Sequence, residues 1–198
     1  MTITYELGPS LYINLTNRCT NNCSFCVRNS RDSVNGTDAL WLPGQEPSLD
    51  EIKKDFKKRD LSKYHEVVFC GFGEPFLRYE ELLSAAQWLK SEYNPQIRVN
   101  TNGHANLIAG HDITPRLEGI IDALSISLNA PSSKKYQELC NSIYDDAFDQ
   151  LLDFTKKAKK YVKDITLTVV DAISAEDIAS CEKIANVCGV SFRVRELM

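Results

Sequence analysis

Six short apolar runs, rich in β-branched residues, alternate with helix-like segments along the chain. Runs of this length, bounded by turn residues, are typical of strands buried in a parallel sheet. Because a helical segment follows each of the first five runs, the pattern predicts a parallel α/β sheet with right-handed crossovers. The predicted strands cover residues 11–15, 66–70, 97–100, 123–128, 165–170 and 190–194.

Helix start and stop signals separate the predicted strands. Ser48 and Glu51 form a capping-box pattern at the first helix start. Pro115 stands at the first position of a later helix, and Gly189 is a typical helix stop. The predicted helices cover residues 49–59, 79–93, 114–122, 145–161 and 174–189.

The number of strand–helix units limits how far the sheet can curl. Eight such units close a full barrel, whereas six leave the sheet open. We therefore expect an open, partial (β/α)6 barrel of parallel strands, with a doubly wound flat sheet as the alternative. In either architecture ligands bind at the C-terminal ends of the strands, so the cofactor site is expected there. With 198 residues, the chain is expected to form a single domain over residues 1–198.

The composition and the N-terminal sequence predict a cytoplasmic protein. No apolar run approaches the roughly 20 residues needed to cross a membrane, and the first residues lack the basic start and apolar block of a signal peptide. Cytoplasmic thiols stay reduced, so the seven cysteines suggest metal ligation or buried packing before disulfides. The net charge of -4 argues against nucleic acid as a partner.

Three of the cysteines, Cys19, Cys23 and Cys26, lie within eight positions directly after the first predicted strand. Thiolates this close together favour zinc or an iron–sulfur cluster. A structural zinc site needs four ligands, and no fourth ligand is near in the sequence. A [4Fe–4S] cubane on three cysteines would leave one iron open for chemistry. A three-cysteine zinc site completed by a distant histidine stays open as the alternative.

The spacing C-x3-C-x2-C, with Phe25 directly before the last cysteine, resembles the signature of the radical S-adenosylmethionine (radical SAM) superfamily. The resemblance implies a [4Fe–4S] cluster on the three cysteines, with S-adenosylmethionine chelating the open iron and Phe25 beside the cofactors. It also implies one-electron cleavage of S-adenosylmethionine to methionine and a 5′-deoxyadenosyl radical, which abstracts hydrogen from a substrate. An electron donor such as flavodoxin or ferredoxin is then an expected partner.

A second motif, "CGFGEP" at residues 70–75, follows the second predicted strand. It is similar to the G-G-E-P motif that holds the methionine amino group in this family. The chain differs from that pattern because Phe72 stands between the two glycines. The resemblance therefore implies that Gly73 and Glu74 bind S-adenosylmethionine, whereas it assigns no role to Phe72.

Residues at the ends of the later strands complete the expected site. Asn129 stands where relatives often carry the Asp of a Ser-x-Asp pattern. Arg195 is expected to meet an anionic substrate or the cosubstrate carboxylate, with a surface ion pair to Glu196 as the alternative. The further expected cofactor-binding residues are Asn102, Ser127, Asn129, Val170 and Arg195.

The irregular segment 29–47 is the one long loop of the predicted fold, and loops of this length are usually functional. We interpret it as a candidate lid, because a radical must be shielded from water. The candidate lid residues are Arg28, Arg31, Trp41 and Leu42. His104 and His111 are interpreted as ordinary loop histidines, with contact to the substrate as the alternative. The other cysteines are interpreted as small buried hydrophobes, namely Cys70, Cys140, Cys181 and Cys188.

Within the superfamily, the short chain and the segment 11–29 most resemble the small radical SAM proteins associated with TatD-type hydrolases. The expected function is hydrogen abstraction from an unidentified small molecule or partner protein. Three alternatives stay open: an activase that makes a glycyl radical on a partner protein, a non-catalytic zinc or iron–sulfur binding module, and modification of a nucleic acid. The third is suggested by the hydrolase association and by the lysine-rich stretches 53–59 and 156–163, and the negative net charge argues against it. Neither a membrane nor a nucleic acid is an expected partner.

Overall fold

One sheet of seven strands organises the protein, which is described here by a computed structural model covering residues 1–34 and 36–197. The strand order in the sheet follows the chain from β1 to β7 without a crossover. The strands are β1 (Thr4–Leu7), β2 (Ser10–Ile13), β3 (Glu66–Phe69), β4 (Ile97–Thr101), β5 (Ala123–Ser127), β6 (Asp164–Val170) and β7 (Ser191–Arg195).

The pairing of the strands leaves the sheet open. β1 and β2 pair antiparallel, and each later pair from β2 to β7 is parallel. β1 and β7 are the two edges of the sheet. The prediction of an open, partial barrel with parallel strands is therefore confirmed. β1 is an addition to the six predicted strands, because its sequence TYEL alternates polar and apolar residues and lacks the continuous apolar run that marks the others.

In the part of the chain that the structure describes, six α-helices connect and cover the strands. Each helix supplies buried residues to one apolar core, to which the strands β2 to β6 also contribute. Across residues 1–34 and 36–197, none of the helices combines the length and the apolarity that a membrane span needs. The helices are α1 (Leu49–Phe56), α2 (Tyr79–Glu92), α3 (Ala105–Ala109), α4 (Ser133–Cys140), α5 (Ala147–Ala158) and α6 (Ala175–Cys188).

The helices differ from the prediction in two ways. The predicted helix 114–122 is only a 3-10 turn, Thr114–Leu117, because the chain reaches a left-handed backbone conformation at Gly119 (φ 69°). The short helices α3 and α4 were not predicted. The Ser48 capping box at the start of α1 is confirmed, since the Ser48 hydroxyl accepts from the Glu51 N–H and Glu51 accepts from the Ser48 N–H.

The two faces of the sheet have different surroundings, because successive residues of a strand point to opposite faces. On the outer face, Leu11, Val67, Val99 and Leu167 are buried against the helices in the main core. The opposite face, called here the inner face, is the concave side of the partial barrel. It carries the polar side chains that form the site described below.

The segment 29–47 packs onto the inner face at one end of the sheet. Val34 and Leu40 of this segment contact Tyr5, Tyr12 and Val68 in a second, smaller core. Apart from Ser10 and Glu66, which are hydrogen-bonded to each other, the inner face of β1–β3 is therefore filled with apolar side chains. The inner face of β4–β7 remains as the wall of a cavity.

Candidate cofactor site

A cavity of about 240 Å³ lies at the C-terminal ends of β2–β7. This is the position that the fold predicts for ligands. All eleven residues that the sequence predicts as site residues line this one cavity. They are Cys19, Cys23, Phe25, Cys26, Gly73, Glu74, Asn102, Ser127, Asn129, Val170 and Arg195.

The cysteine loop, residues 17–29, follows β2 and is held by interactions at both of its ends. The Arg28 guanidinium donates to the carbonyl oxygens of Asn17 (3.3 Å) and Asn21 (3.2 Å). The backbone N–H of Asn22 donates to the carbonyl oxygen of Cys140, at the end of α4, at 2.9 Å. The loop is thus fixed against its own backbone and against a helix that is far from it in the sequence.

The three thiols of the cysteine loop are free and partly buried. The Cys19 Sγ accepts weak hydrogen bonds from the Asn21 N–H (3.4 Å) and from the Asn102 amide (3.9 Å). Burial, together with the nearby Glu74 carboxylate, raises the pKa of the Cys19 thiol to about 12. Burial also raises the pKa of the Cys26 thiol. The raised pKa values favour the neutral thiols. A bound metal cation would lower them and favour the thiolates, because cysteine binds a metal in its deprotonated form.

Cys140, a fourth cysteine, contacts the loop from the end of α4. A hydrogen bond with Cys140, together with burial, raises the pKa of the Cys23 thiol. The Asn129 amide donates to the Cys140 Sγ at 3.6 Å. Within residues 1–34 and 36–197, no three His, Cys, Asp or Glu side chains are gathered closely enough to hold a metal ion. Cys140 is therefore a neighbour of the cysteine loop rather than one of the three thiols that the loop itself carries.

Gly73 lies directly against the cysteine loop. A Cβ atom at Gly73 would lie 2.3 Å from the Arg18 carbonyl oxygen and 2.4 Å from the Thr16 carbonyl oxygen. The next N–H, that of Glu74, donates to the same Arg18 carbonyl at 2.8 Å. The glycine is required here for the close approach of two backbones, a reason that the sequence pattern alone does not separate from ligand binding.

The Glu74 side chain is buried and fully engaged by the protein. Its Oε1 accepts from the Thr101 hydroxyl (2.7 Å) and the Phe76 N–H (3.1 Å), and its Oε2 accepts from the Asn102 N–H (2.7 Å). Burial raises the pKa of this carboxyl to about 7, against the lowering effect of the three donors. Glu74 therefore joins the ends of β3 and β4 below the cysteine loop.

Asn129 has an unusual backbone and an unpaired oxygen. Its φ of 59° lies in the left-handed region, and its side chain is buried on the cavity wall. The Asn129 Oδ1 is buried without a hydrogen-bond partner among the described residues. A buried acceptor without a donor costs about 1–3 kcal/mol. An ammonium or hydroxyl group of a bound ligand would remove that cost.

A buried hydrogen-bond network lies below the cysteine loop, and the sequence analysis missed it. The His104 Nδ1 is 2.9 Å from the Thr20 Oγ1, and its Nε2 is 3.2 Å from the Tyr136 hydroxyl. The Asn102 amide also donates to the Thr20 Oγ1, at 2.7 Å. Burial lowers the pKa of His104 to about 4. The interpretation of His104 as an ordinary loop histidine is therefore wrong, whereas the side chain of His111 is exposed.

The structure changes the interpretation of Cys70 and shows a contact of Trp41 in the segment 29–47. Cys70 is partly exposed and lines the cavity, so it is not one of the buried core cysteines, whereas Cys140, Cys181 and Cys188 are buried. Among the residues of the segment 29–47, Trp41 packs edge-on against Phe72 with ring centroids 5.0 Å apart. The sequence could have indicated Cys70, because it stands directly after a strand in the motif that carries Glu74.

Arg195 lines the far side of the cavity, on the edge strand β7. Its Nε donates to the Thr168 hydroxyl at 3.2 Å. The predicted alternative, an ion pair with Glu196, is not found among the ion pairs of residues 1–34 and 36–197. Arg195 is therefore available to a ligand.

The sequence model of the Radical SAM superfamily matches residues 13–187, which include the cysteine loop and the strands β3 to β6. The chain belongs to the radical SAM superfamily. The cofactors of this superfamily are a [4Fe–4S] cluster and S-adenosylmethionine, as predicted. The donor set of this radical SAM protein fits them, because three free thiols and an unpaired buried acceptor line one cavity.

Curated relatives with detectable sequence similarity are RNA methyltransferases. The probable dual-specificity RNA methyltransferase RlmN of Thermoanaerobacter sp. (strain X514) is 28% identical over 171 residues, which are 83% of this chain and 45% of that protein. RlmN of Caldanaerobacter subterraneus subsp. tengcongensis is 26% identical over 143 residues, 69% of this chain and 38% of that protein. The chain thus spans less than half the length of these curated relatives.

Solved structures of radical SAM proteins share the fold. SuiB of Streptococcus suis bound to S-adenosylmethionine superposes with a TM-score of 0.68 at 17% identity, over 96% of this chain and 39% of SuiB. HydG, the FeFe-hydrogenase maturase of Carboxydothermus hydrogenoformans, gives a TM-score of 0.63 at 19% identity, over 94% of this chain and 44% of HydG. These similarities support the partial barrel, whereas the resemblance to TatD-associated proteins stays a prediction.

Proposed function

We propose that this chain is a radical SAM enzyme whose cluster is held by Cys19, Cys23 and Cys26. The observation that supports this most directly is that these three free thiols line one cavity together with all the other predicted cofactor-binding residues. When bound, the cluster and S-adenosylmethionine supply the reductive cleavage that yields methionine and a 5′-deoxyadenosyl radical. The substrate of the radical is unidentified, and a small molecule or a partner protein fits the open barrel.

The chain's own residues position and shield these groups. Cys19, Cys23 and Cys26 would hold the cluster, while Arg28 keeps the loop backbone in place. Glu74 and Asn102 hold the ends of β3 and β4 against the loop. Asn129 offers its free Oδ1 to the amino or hydroxyl groups of S-adenosylmethionine. Excluding water protects a reactive intermediate, and the segment 29–47 fills one side of the barrel interior.

Several features of this proposal follow from the sequence and stay predictions. We expect residues 1–198 to act as a single domain, which the one continuous sheet supports. A low-potential electron donor such as flavodoxin or ferredoxin would reduce the cluster, and the expected compartment is the cytoplasm. We do not propose RNA as the substrate. The similarity to RlmN covers less than half of that protein, and the net charge of this chain is -4.

An anaerobic assay tests the proposed function. The protein is reconstituted with iron and sulfide, reduced with dithionite, and supplied with S-adenosylmethionine, and 5′-deoxyadenosine is followed by chromatography. We expect product from the parent and from Cys181→Ala, whose cysteine is buried in α6. We expect none from Cys23→Ala. Zinc in place of about four irons per chain, with no 5′-deoxyadenosine, would instead indicate the non-catalytic binding module.

A further inference from the structure

The inner face of the sheet carries more positive than negative charge below the cofactor cavity. Three arginines, Arg98 on β4 and Arg193 and Arg195 on β7, contact polar side chains that belong to this face. The carboxylate of Glu66 on β3 is the ion-pair partner of Arg98. Arg98 and Arg195 are half-buried, whereas Arg193 is exposed beside them. A charge that is withdrawn from water is costly unless a counter-charge is present.

Arg98 is the arginine whose charge is balanced. Its Nε and Nη2 donate to the two Glu66 oxygens at 2.9 and 2.6 Å, a bidentate pair. Its Nη1 donates to the Asn100 Oδ1 at 2.5 Å, and Asn100 lines the cavity. The pair of Arg98 and Glu66 is thus neutral and holds the side chain of Asn100, which lines the cavity.

In the part of the chain that the structure describes, the side-chain hydrogen-bond partners of Arg193 and Arg195 are neutral. The strand β7 places both on one face, since they are two residues apart, and pairs them with Thr168 and Val170 of β6. The Arg193 Nη2 donates to the Ser125 hydroxyl at 3.4 Å, and the Arg195 Nε donates to Thr168 at 3.2 Å. Neither arginine takes part in an ion pair formed by residues 1–34 and 36–197.

We infer that Arg193 and Arg195 form an oxyanion subsite for the substrate, so that the substrate carries a carboxylate or phosphate group. A guanidinium presents several donors in a fixed plane and binds such groups with paired, charge-assisted hydrogen bonds. Burial lowers the pKa of Arg195, consistent with a cation that lacks a counter-charge. This inference rests on the proposed function, because it assigns the substrate that the radical would attack.

The carboxylate of S-adenosylmethionine is the other oxyanion that could reach these arginines. The position of Arg193 favours the substrate. Arg193 donates a hydrogen bond to Ser125 in the middle of β5, two residues before the cavity-rim residue Ser127. The cysteines and Gly73 lie at the ends of β2 and β3, on the other side of the cavity. The nearest acidic neighbour in the sequence, Glu196, also lines the cavity but forms no ion pair with either arginine among the described residues.

Binding of inorganic phosphate to the reconstituted holoenzyme tests the subsite. Titration calorimetry is run anaerobically with and without saturating S-adenosylmethionine. We expect the parent to bind phosphate in both cases, Arg193→Gln to weaken binding at least about tenfold, and Arg193→Lys to weaken it less. Arg116→Gln removes an exposed arginine that is ion-paired with Glu80 and is the matched control, with unchanged phosphate affinity expected.

A second variant acts in the opposite direction. Glu66→Gln removes the carboxylate that is paired with Arg98 and leaves the Arg98 charge unbalanced, so phosphate should bind more tightly than in the parent. The inference is overturned if the parent binds no phosphate, if Arg193→Gln binds as the parent does, or if S-adenosylmethionine displaces phosphate. The last result would assign the arginines to the cosubstrate.

The same preparations separate this inference from the proposed function. If phosphate binds in an Arg193-dependent manner but no 5′-deoxyadenosine forms, the oxyanion site stands and the proposed radical chemistry fails. If 5′-deoxyadenosine forms but phosphate binding does not depend on Arg193, the radical chemistry stands and the substrate assignment fails.

Discussion

The Glu74 carboxylate accepts a hydrogen bond from the backbone N–H of Asn102 at 2.7 Å and thereby joins the loop after β3 to the end of β4. The same Asn102 donates its side-chain amide to Thr20, the residue after Cys19. One buried carboxylate therefore fixes the backbone of a residue that in turn supports the cysteine loop. In this arrangement Glu74 positions the site through protein contacts.

Glu74→Gln tests this positioning role. An amide nitrogen cannot accept a hydrogen bond, so the substitution leaves a buried N–H without its partner, at a cost of about 1–3 kcal/mol. We expect the free energy of unfolding in urea at pH 7 to fall by that amount. Glu80→Gln alters an exposed ion pair with Arg116 and should change stability little. Equal stability of Glu74→Gln and the parent would show that the three donors find other acceptors.

The cysteine loop and the strand-end residues could be predicted from the sequence because the relevant signals are local. Cys19 to Cys26 follow one strand, and Ser127 and Asn129 end another, so the topology of a parallel sheet alone brings them to one rim. The eleven predicted residues lie on one cavity for this reason.

The supporting contacts could not be predicted, because they join residues that are distant in the sequence. Asn21 donates to the Tyr136 hydroxyl across 115 positions, and His104 meets Thr20 across 84. The helix α4, which supplies Tyr136 and Cys140, is short and was not predicted at all. Gly73 was predicted to bind the cofactor, but the sequence does not show that a neighbouring backbone also excludes a side chain there.

Gly73→Ala tests the close approach of the two backbones. A methyl group 2.3 Å from the Arg18 carbonyl oxygen forces the cysteine loop to move. We expect a loss of about 1–3 kcal/mol in the free energy of unfolding, as for other overpacked sites, and a lower iron content after reconstitution. Gly110→Ala is the control, because open space surrounds Gly110 and only its left-handed backbone (φ 73°) is strained. It should lose some stability but keep the iron.

His104 predicts a dependence of stability on acid pH. Burial lowers its pKa in the folded protein to about 4, from an ordinary value of 6.5. Between these values the unfolded chain binds a proton that the folded chain does not, so the free energy of unfolding falls as the pH is lowered from 6.5 to about 4. In His104→Gln this contribution is absent. Urea unfolding at pH 7 and pH 5 should therefore show a larger decrease for the parent, and equal decreases would contradict the prediction.

Asn129→Ala tests the unpaired Oδ1 on the cavity wall. If a donor of S-adenosylmethionine pairs with this oxygen, its removal should weaken binding about tenfold, measured by calorimetry on the reconstituted protein. Asn94→Ala is the matched control, because Asn94 also has a left-handed backbone (φ 47°) but is exposed and outside the cavity. The control should bind S-adenosylmethionine like the parent. Equal affinity of the two variants for S-adenosylmethionine would show that the Asn129 Oδ1 has no partner on this ligand.

The five cysteines around the cavity give a test of which three hold the cluster. Cys19, Cys23, Cys26 and Cys70 line the cavity, and Cys140 on α4 is a hydrogen-bond partner of the Cys23 thiol. We expect alanine at position 19, 23 or 26 to abolish binding of about four irons per chain, because each removes one ligand of a cubane.

Alanine at position 70 or 140 should leave the iron content unchanged. In Cys140→Ala the Cys23 thiol loses its hydrogen-bond partner, so reconstitution is expected to be at least as complete as in the parent. Iron content and the visible absorption of the cluster measure both sets of variants. Loss of iron in Cys140→Ala, with retention in Cys23→Ala, would exchange the roles of the two thiols and place a ligand on α4.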